Sequence, residues 1–288
     1  MKIAVVGLGG VGGYLAACFA KAGFDVTGFA RGEHLQAIQR DGLKIIEDEN
    51  EWSVHLKAQE LREAETLFDI VIFCVKSYDI AESYRQIASC VSEKTILISF
   101  SNGVNNGDIL CELSKAKVLE GAVYILSYIE KPGVVRKKGK VFAAIFGGEK
   151  ASTETLAALF EKSGLRYKTP EDIKTALWKK YIFISAFATL TSYYDKPIAV
   201  VYKEHRDEAE ELLREIAAVA KEQGVNIDDE VQKALETASK LPEDASTSMH
   251  LDFQNGKRVE LESLSGLIAK SDKAPLMLRM YNALKKRE

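Results

Sequence analysis

A glycine-rich string near the start of the chain could place backbone N–H groups around a phosphate. Gly7-Leu8-Gly9-Gly10-Val11-Gly12 matches G-x-G-x-x-G and lies between an apolar, strand-like run and a stretch with helical spacing. In that context Gly7 permits a tight turn, a side chain at Gly9 would collide with a diphosphate, and Gly12 allows close packing. A glycine turn without a ligand is the alternative. The context favours a dinucleotide at the positive end of the helix.

Two basic residues follow later strand-like runs and could bind the polar parts of a dinucleotide. Arg31 stands where NAD sites place an acidic residue for the ribose 2′-hydroxyl, and a guanidinium suits a 2′-phosphate instead. Lys76 closes the apolar run 70–75, so it could reach the phosphate or ribose. Each could also be a solvated surface residue. The pattern predicts NADP(H) rather than NAD(H).

A nicotinamide cofactor delivers hydride, and reduction of a carbonyl then requires a proton donor. Lys180 is the best candidate, because it begins the apolar section of a long helix on the face of Ile184 and Ala188. An apolar wall disfavours the charged amine and makes it a readier acid. Its neighbour Lys179 points about 100° away. An ordinary exposed lysine is the alternative for Lys180.

Three further polar residues could contact a substrate or cofactor. Asn102, in Ser101-Asn102-Gly103, could bind the substrate or the nicotinamide ribose, although Asn-Gly is also an ordinary turn. Ser248 could cap a helix or bind a carboxylate. Glu260 is expected in the first turn of the helix after Gly256, where capping alone would explain an acid.

Histidine is the weaker candidate for the proton donor. His34 and His55 fall in early peripheral segments, His205 begins an exposed helix, and only His250 lies near the other candidates. No histidine pairs with a cysteine or a second histidine at metal-ligand spacing, so we expect no metal site.

These residues need a scaffold, and the first part of the chain alternates strand-like and helical segments. Apolar runs with helices between them indicate a doubly wound, largely parallel sheet. The expected strands are residues 2–7, 25–30, 43–46, 52–56, 69–75, 95–99 and 165–168, and the expected helices are 11–22, 33–40, 79–91 and 153–162. Within residues 117–148 we expect a meander that extends the sheet, broken at Lys131-Pro132-Gly133 and at Lys137-Lys138-Gly139.

The strand signals stop near residue 170. Residues 172–194 are apolar nearly all round, which is typical of the buried central helix of a helical domain. Further helices are expected at 204–223, 228–241, 259–270 and 276–286. The sequence therefore predicts an α/β fold of two domains. A Rossmann-type, NADP-binding domain would span residues 1–170, and an all-helical substrate and catalytic domain would span residues 171–288.

Composition excludes several classes of protein. The chain has 288 residues, 47% of them hydrophobic, and a net charge of -3, so we expect no nucleic-acid partner. No apolar stretch reaches the roughly 18 residues of a membrane span. The four cysteines form no CxxC pair, which is typical of reduced thiols, and we expect no signal peptide before the first strand. A cytoplasmic protein is the expectation.

Taken together, these motifs resemble the ketopantoate reductase (2-dehydropantoate 2-reductase) family over nearly the whole chain. Their order and spacing carry the resemblance. They are residues 2–12, Ala30-Arg31, Val75-Lys76, Ser101-Asn102-Gly103, Leu177-Trp178-Lys179-Lys180, Ser248-Met249 with Asp252, and Gly256-Lys257-Arg258-Val259-Glu260.

The resemblance implies NADPH-dependent reduction of a 2-oxo acid, with ketopantoate reduced to pantoate for pantothenate synthesis. It implies Lys180 as the general acid and Glu260 as the acid that orients the substrate hydroxyl. Ser248 and Asn102 are implied as substrate contacts. A substrate cleft between the domains and a homodimer are further implications.

The chain departs from the family on the helix after the lysine. Family members usually show asparagines four and eight residues beyond it, where this chain has Ile184 and Ala188. A pocket that loses two amides should bind a polar substrate less well. The alternatives are therefore a reductase of a more apolar 2-oxo acid, or an NADP-binding sensor without catalysis.

Overall fold

The computed structural model describes the whole chain, residues 1–288. The chain forms two compact units. The first contains residues 1–101 and 105–173, and the second contains residues 102–104 and 174–288. Asn102 therefore belongs to the same unit as the helices that follow residue 173.

The first unit is built on one sheet of ten strands. The strands are β1 (Lys2–Val6), β2 (Asp25–Phe29), β3 (Leu43–Glu47), β4 (Asn50–Val54), β5 (Lys57–Gln59), β6 (Ile70–Phe73), β7 (Ile96–Ser99), β8 (Lys117–Lys131), β9 (Val134–Gly147) and β10 (Tyr167–Lys168). Their order is β4-β3-β9-β8-β7-β6-β1-β2-β5, and β10 pairs with β9.

Six neighbouring strands, β8-β7-β6-β1-β2-β5, pair in parallel. The chain moves outward from β1 to β2 and β5, and then returns to β6 on the other side of β1. This is the strand order of a dinucleotide-binding sheet, and its switch point lies between β1 and β6. The Rossmann-type fold is confirmed, and the apolar runs β6 and β7 that predicted it are buried throughout.

Helices cover both faces of this sheet. They are α1 (Gly10–Lys21), α2 (Gly32–Asp41), α3 (Ile80–Ile87), α4 (Asn106–Leu113) and α5 (Lys150–Lys162). Ile3 and Val5 of β1 pack in one core cluster with side chains of α1 and α5, while Ala4 and Val6 pack in another with side chains of α3 and α4. Successive side chains of β1 thus point into different cores on the two faces of the sheet, as a doubly wound sheet requires.

The meander expected at residues 117–148 is instead one long hairpin of β8 and β9. The chain turns at Lys131-Pro132-Gly133, but it does not break at Lys137-Lys138-Gly139. A register shift beside Ser127 accommodates the extra residues of β9. Lys137 is buried, with its Nζ 3.5 Å from Oε1 of Glu47 and donating to the Gly139 carbonyl oxygen at 2.8 Å. These oxygen partners compensate the charge of Lys137, so the side chain can be buried in β9. The sequence Lys-Lys-Gly is typical of a turn, but here it lies within a strand.

The second unit is helical around α6 (Ile173–Tyr194). The other helices are α7 (Ile198–Glu204), α8 (Arg206–Glu222), α9 (Glu230–Ser239), α10 (Ser248–Gln254), α11 (Leu267–Ala269) and α12 (Pro275–Lys285). Phe187 and Leu190 of α6 are completely buried in the core of this unit, which confirms α6 as its central helix. None of the helices combines the length and the hydropathy of a membrane-spanning segment.

The second unit differs from the expected elements in three places. The helix expected at 204–223 is preceded by α7, and the two helices meet at His205. The polar stretch expected as a loop contains α10, because the Thr247 side chain accepts a hydrogen bond from the His250 N–H and caps that helix. The helix expected at 259–270 consists of a π-helical turn, Glu262–Gly266, followed by α11.

Candidate active site

The glycine loop joins β1 to α1. Gly7 has a φ of 94°, and a Cβ on Gly12 would lie 2.0 Å from the Gly7 carbonyl oxygen, so both positions require glycine. A Cβ on Gly9 would meet no protein atom within 4 Å, so the space beside this residue is open. The first turn of α1 contains no acidic residue. The loop therefore fits the diphosphate of a dinucleotide at a helix N-terminus.

Arg31 and Lys76 lie beyond the carboxyl ends of two strands in the same sheet. Arg31 follows β2, is exposed and immediately precedes α2. Lys76 follows β6, is half-buried and precedes a 3₁₀ turn. Because β2 and β6 both pair in parallel with β1, their carboxyl ends share one edge with the glycine loop. The predicted cofactor contacts of the first unit are thus brought to the switch-point edge of the sheet.

In the second unit the amine of Lys180 lies beside the amide of Asn102. Nζ of Lys180 donates to Oδ1 of Asn102 at 3.0 Å, and both residues are half-buried. Glu260 is buried, and its carboxylate acts on the lysine electrostatically. Glu260 precedes the first helical residue, Leu261, rather than lying in the first turn as expected. The structure brings these three candidates together.

The surroundings of Lys180 change its acidity. Burial lowers the pKa of Lys180 to about 8, and the nearby Glu260 carboxylate partly opposes this shift. Such an amine is still mostly protonated at neutral pH, yet it releases its proton more readily than a solvated lysine does. Lys179 is exposed, and its Nζ lies 3.5 Å from Oε1 of Glu230. Of the two neighbouring lysines, Lys180 has the environment of a proton donor.

A polar stripe on α6 holds the segment that follows Glu260. The stripe consists of Tyr181, Ser185 and Thr189. Their hydroxyls bond to residues 263–265 at distances between 2.7 and 2.8 Å, two of them to the Leu264 carbonyl oxygen. Carbonyl groups bonded in this way are less available to a regular helix, and the chain here forms a π turn. The stripe begins at the residue after Lys180, so the segment that follows Glu260 is hydrogen-bonded to the helix that carries the lysine.

Ser248 and His250 occupy different environments at the start of α10. Ser248 is the first residue of the helix and is exposed, while the capping role considered for it belongs to Thr247. His250 is buried, with Nδ1 2.7 Å from Oγ of Ser246 and Nε2 2.8 Å from Oδ1 of Asp195. Both ring nitrogens are thus engaged within the protein, which makes His250 a poor proton donor for a substrate.

Two family models together match most of this sequence. The model described as ketopantoate reductase PanE/ApbA matches residues 3–148, and the model of its C-terminal part matches residues 172–288. The chain belongs to the ketopantoate reductase family. It is therefore a member of a family of oxidoreductases.

Individual relatives agree with this membership of the ketopantoate reductase family. The uncharacterized oxidoreductase YkpB of Bacillus subtilis (strain 168) is 29% identical over 99% of this chain and 100% of its own length. A 2-dehydropantoate 2-reductase of Mesorhizobium japonicum is 28% identical over 92% of this chain and 89% of its own. The crystal structure of a PanE/ApbA family ketopantoate reductase from Ralstonia eutropha JMP134 superposes with a TM-score of 0.92 at 28% identity, covering 100% of this chain and 98% of that one.

The two departures of this ketopantoate reductase homologue from the family pattern are not equivalent. Ile184 is half-buried and packs against the core of the second unit, whereas Ala188 is 1% exposed and lies within that core. An asparagine at 188 would bury an amide among apolar side chains. Ile184 is therefore the departure that can alter the surroundings of Lys180.

Sequence reasoning missed residues that support the site. The stripe of Tyr181, Ser185 and Thr189 repeats every four residues on an otherwise apolar helix, and this spacing could have indicated a buried polar contact. Thr247 stands directly before a helix, where threonine is a common cap. His34 was assigned to a peripheral segment, yet it contacts the glycine loop.

Proposed function

We propose that this protein uses NADPH to reduce a 2-oxo acid to the 2-hydroxy acid, with ketopantoate reduced to pantoate as the leading reaction. The observation that carries the proposal is the half-buried Lys180 amine, 3.0 Å from the Asn102 amide oxygen, with its pKa lowered by burial in a member of this family. A buried amine of this kind is suited to donate a proton during catalysis.

The residues of the first unit fit a dinucleotide cofactor. The backbone N–H groups of Gly9, Gly10 and Val11 at the start of α1 would bind the diphosphate, and Lys76 would bind phosphate or ribose. Arg31 would form parallel hydrogen bonds with a 2′-phosphate, because no acidic residue follows β2 at this position. When bound, the nicotinamide supplies hydride to the ketone carbon of the substrate.

Lys180 completes the reduction by supplying the proton. As hydride adds to the carbonyl carbon, the carbon–oxygen double bond becomes a single bond and negative charge develops on the oxygen. The ammonium group of Lys180 stabilises this charge and transfers its proton to the oxygen, which yields the 2-hydroxy acid and NADP⁺. The hydrogen bond from Nζ to Asn102 orients the amine before the transfer.

The remaining candidates would hold the substrate. Glu260 would accept a hydrogen bond from a substrate hydroxyl, and the π turn anchored on α6 keeps its backbone in place. Ser248 is exposed at the start of α10 and could donate its hydroxyl to the substrate carboxylate. Asn102 would contact the substrate or the nicotinamide ribose.

A more apolar 2-oxo acid is the second candidate substrate, and Ile184 is the observation that favours it. Its side chain replaces an amide that family members usually present one helical turn beyond the lysine. An apolar side chain leaves polar groups of ketopantoate without a partner, whereas it favours a branched aliphatic substrate.

A panel of 2-oxo acids tests the proposal. The protein is incubated with NADPH and each acid, and oxidation of the cofactor is followed at the NADPH absorbance band. Turnover of ketopantoate at low concentration supports the leading substrate, and faster turnover of a branched aliphatic acid supports the second. Binding of NADPH without turnover of any acid would identify a sensor instead.

We also infer, from the family resemblance alone, that the protein is a cytoplasmic homodimer. Light scattering of the purified protein measures this state directly, because a dimer has twice the chain mass of 31.9 kDa.

A further inference from the structure

His34 lies on α2 and connects two segments of the first unit through its ring. Nε2 of His34 lies 2.8 Å from the Leu8 carbonyl oxygen, within the glycine loop. On the other side of the ring, the Gly133 N–H donates to Nδ1 at 3.1 Å. Gly133 belongs to the turn of the β8–β9 hairpin and packs on α2, where a Cβ on it would lie 3.0 Å from the Ala37 Cβ. The imidazole thus bridges the loop and the hairpin.

These contacts specify one form of the imidazole. Because Gly133 donates to Nδ1, that nitrogen carries no proton, and the proton on Nε2 must point to the Leu8 carbonyl. The ring is therefore neutral and in the Nε2–H tautomer. Burial lowers the pKa of His34, which is consistent with a neutral ring, while the Leu8 carbonyl partly opposes this shift.

The bond to Leu8 also orients the next N–H group. The carbonyl of Leu8 and the N–H of Gly9 belong to one planar trans peptide, and in such a peptide these two groups point in opposite directions. A carbonyl held towards His34 therefore turns the Gly9 N–H away from α2. Gly9 is the residue before α1, and the space beside it is open. A free N–H in that position is available to a phosphate oxygen.

We propose that His34 is a positioning residue for the cofactor: its neutral ring holds the Leu8–Gly9 peptide in the orientation that binds the dinucleotide diphosphate, and braces that peptide against the β8–β9 turn. This inference rests on the proposed function, because it assumes a dinucleotide at the glycine loop. His34 itself does not touch the phosphate.

The arrangement makes cofactor affinity depend on pH. An imidazolium carries protons on both nitrogens, so Nε2–H would still donate to Leu8, but Nδ1–H would oppose the Gly133 N–H and the contact with the hairpin turn would be lost. Both ring nitrogens contact backbone groups, and the glycine loop contributes no charged side chain. The charged residues on α2, on the strands that contact it and at the hairpin turn are Arg31 immediately before α2, Glu33, Arg40 and Asp41 of α2, Lys44 and Glu47 of β3, Lys57 of β5, and Lys131 at the turn. Acidification is therefore expected to weaken cofactor binding through the lost bridge.

Titration of NADPH binding with four proteins tests the inference. They are the wild type, His34→Ala, His34→Gln and the control His55→Gln, which changes an exposed histidine. Glutamine keeps one donor and one acceptor but does not titrate. We expect His34→Ala to raise the Kd for NADPH about tenfold at pH near 7.5, and His34→Gln to restore most of the affinity. At saturating NADPH the turnover number of each variant should stay near that of the wild type.

The pH profile separates positioning from a purely structural role. Between about pH 7 and about pH 5 the wild type and His55→Gln should lose affinity more steeply than His34→Gln, while titration of the 2′-phosphate affects all proteins alike. Equal profiles for the wild type and His34→Gln would overturn the inference, as would tighter binding by the wild type in acid. If His34→Ala does not fold, the comparison of the pH profiles of the wild type and His34→Gln still tests the inference. Failure of the wild type to bind NADPH at any pH would overturn the proposed function as well, whereas equal binding by all variants would overturn this inference alone.

Discussion

Replacing Lys180 by alanine removes the proposed proton donor and leaves the cofactor contacts of the first unit intact. With a pKa of about 8, the lysine is roughly nine-tenths protonated at pH 7, so nearly every enzyme molecule carries the acid. General acid catalysis contributes roughly a hundredfold to ten-thousandfold, and the turnover number of Lys180→Ala should fall by this factor. The Kd for NADPH should change little.

The pH dependence of turnover is a second test of Lys180 as the proton donor. The protonated amine is the active form, so turnover should be level below pH 7, fall as the pH rises through about 8, and decline about tenfold per unit above it. Lys180→Arg keeps a positive charge but holds its proton throughout this range, so its turnover should be low and should lack the alkaline decline. Measurement of turnover at saturating substrate from about pH 6 to pH 10 tests both expectations.

Lys179→Ala is the matched control, because Lys179 is the adjacent residue, is exposed and interacts with Glu230. Its turnover and pH profile should stay close to those of the wild type. The melting temperature of Lys180→Ala should not fall, since burial disfavours the charged amine that is removed. Equal, mild losses in both lysine variants would refute the assignment, and His250 would become the next residue to test despite its contacts with Ser246 and Asp195.

Two further predictions concern the cofactor and the substrate. Arg31→Ala should raise the Michaelis constant for NADPH about tenfold to a hundredfold and that for NADH much less, because a charge-assisted bond contributes roughly 1.5–3 kcal/mol; equal use of both cofactors by the wild type would contradict this. Ile184→Asn should lower the Michaelis constant for ketopantoate and raise that for a branched aliphatic 2-oxo acid, measured by steady-state kinetics, and no change in either would show that Ile184 does not affect specificity. Ala188→Asn serves for comparison, and it should lower the free energy of unfolding by roughly 1–3 kcal/mol because the amide would be buried in an apolar core.

Much of the first unit could be predicted because its strands are buried on both faces. Runs such as Ile70–Phe73 and Ile96–Ser99 are apolar at every position or nearly so, and few other structures accommodate them between helices. The burial of Lys137 could not be predicted from such patterns. A lysine pair followed by glycine is typical of a turn, and only the contact with Glu47, ninety positions earlier in the chain, explains its burial in β9.

The site could be predicted only in part, because the contacts between residues distant in the sequence could not be predicted. Lys180 was singled out because it begins the apolar section of α6, and Asn102 because it follows an apolar strand, but their hydrogen bond joins residues 78 positions apart. No spacing rule connects them. The role of His34 depends likewise on Gly133, a residue of a distant hairpin turn. Glu260 was expected in the first turn of a helix, but it precedes the first helical residue, and the π turn that follows is hydrogen-bonded to hydroxyl groups of α6.

Transfer of deuterium from the cofactor tests the central claim most directly. The wild-type protein is incubated with ketopantoate, or with the best acid of the panel, and with NADPH carrying deuterium at both positions of the nicotinamide C4. The product is then analysed by mass spectrometry and by NMR. The proposed reaction predicts a 2-hydroxy acid with one deuterium on carbon 2 and a solvent-derived proton on the hydroxyl oxygen. Recovery of the 2-oxo acids unchanged, or a product without deuterium at carbon 2, would contradict the proposal that this protein is a 2-oxo acid reductase.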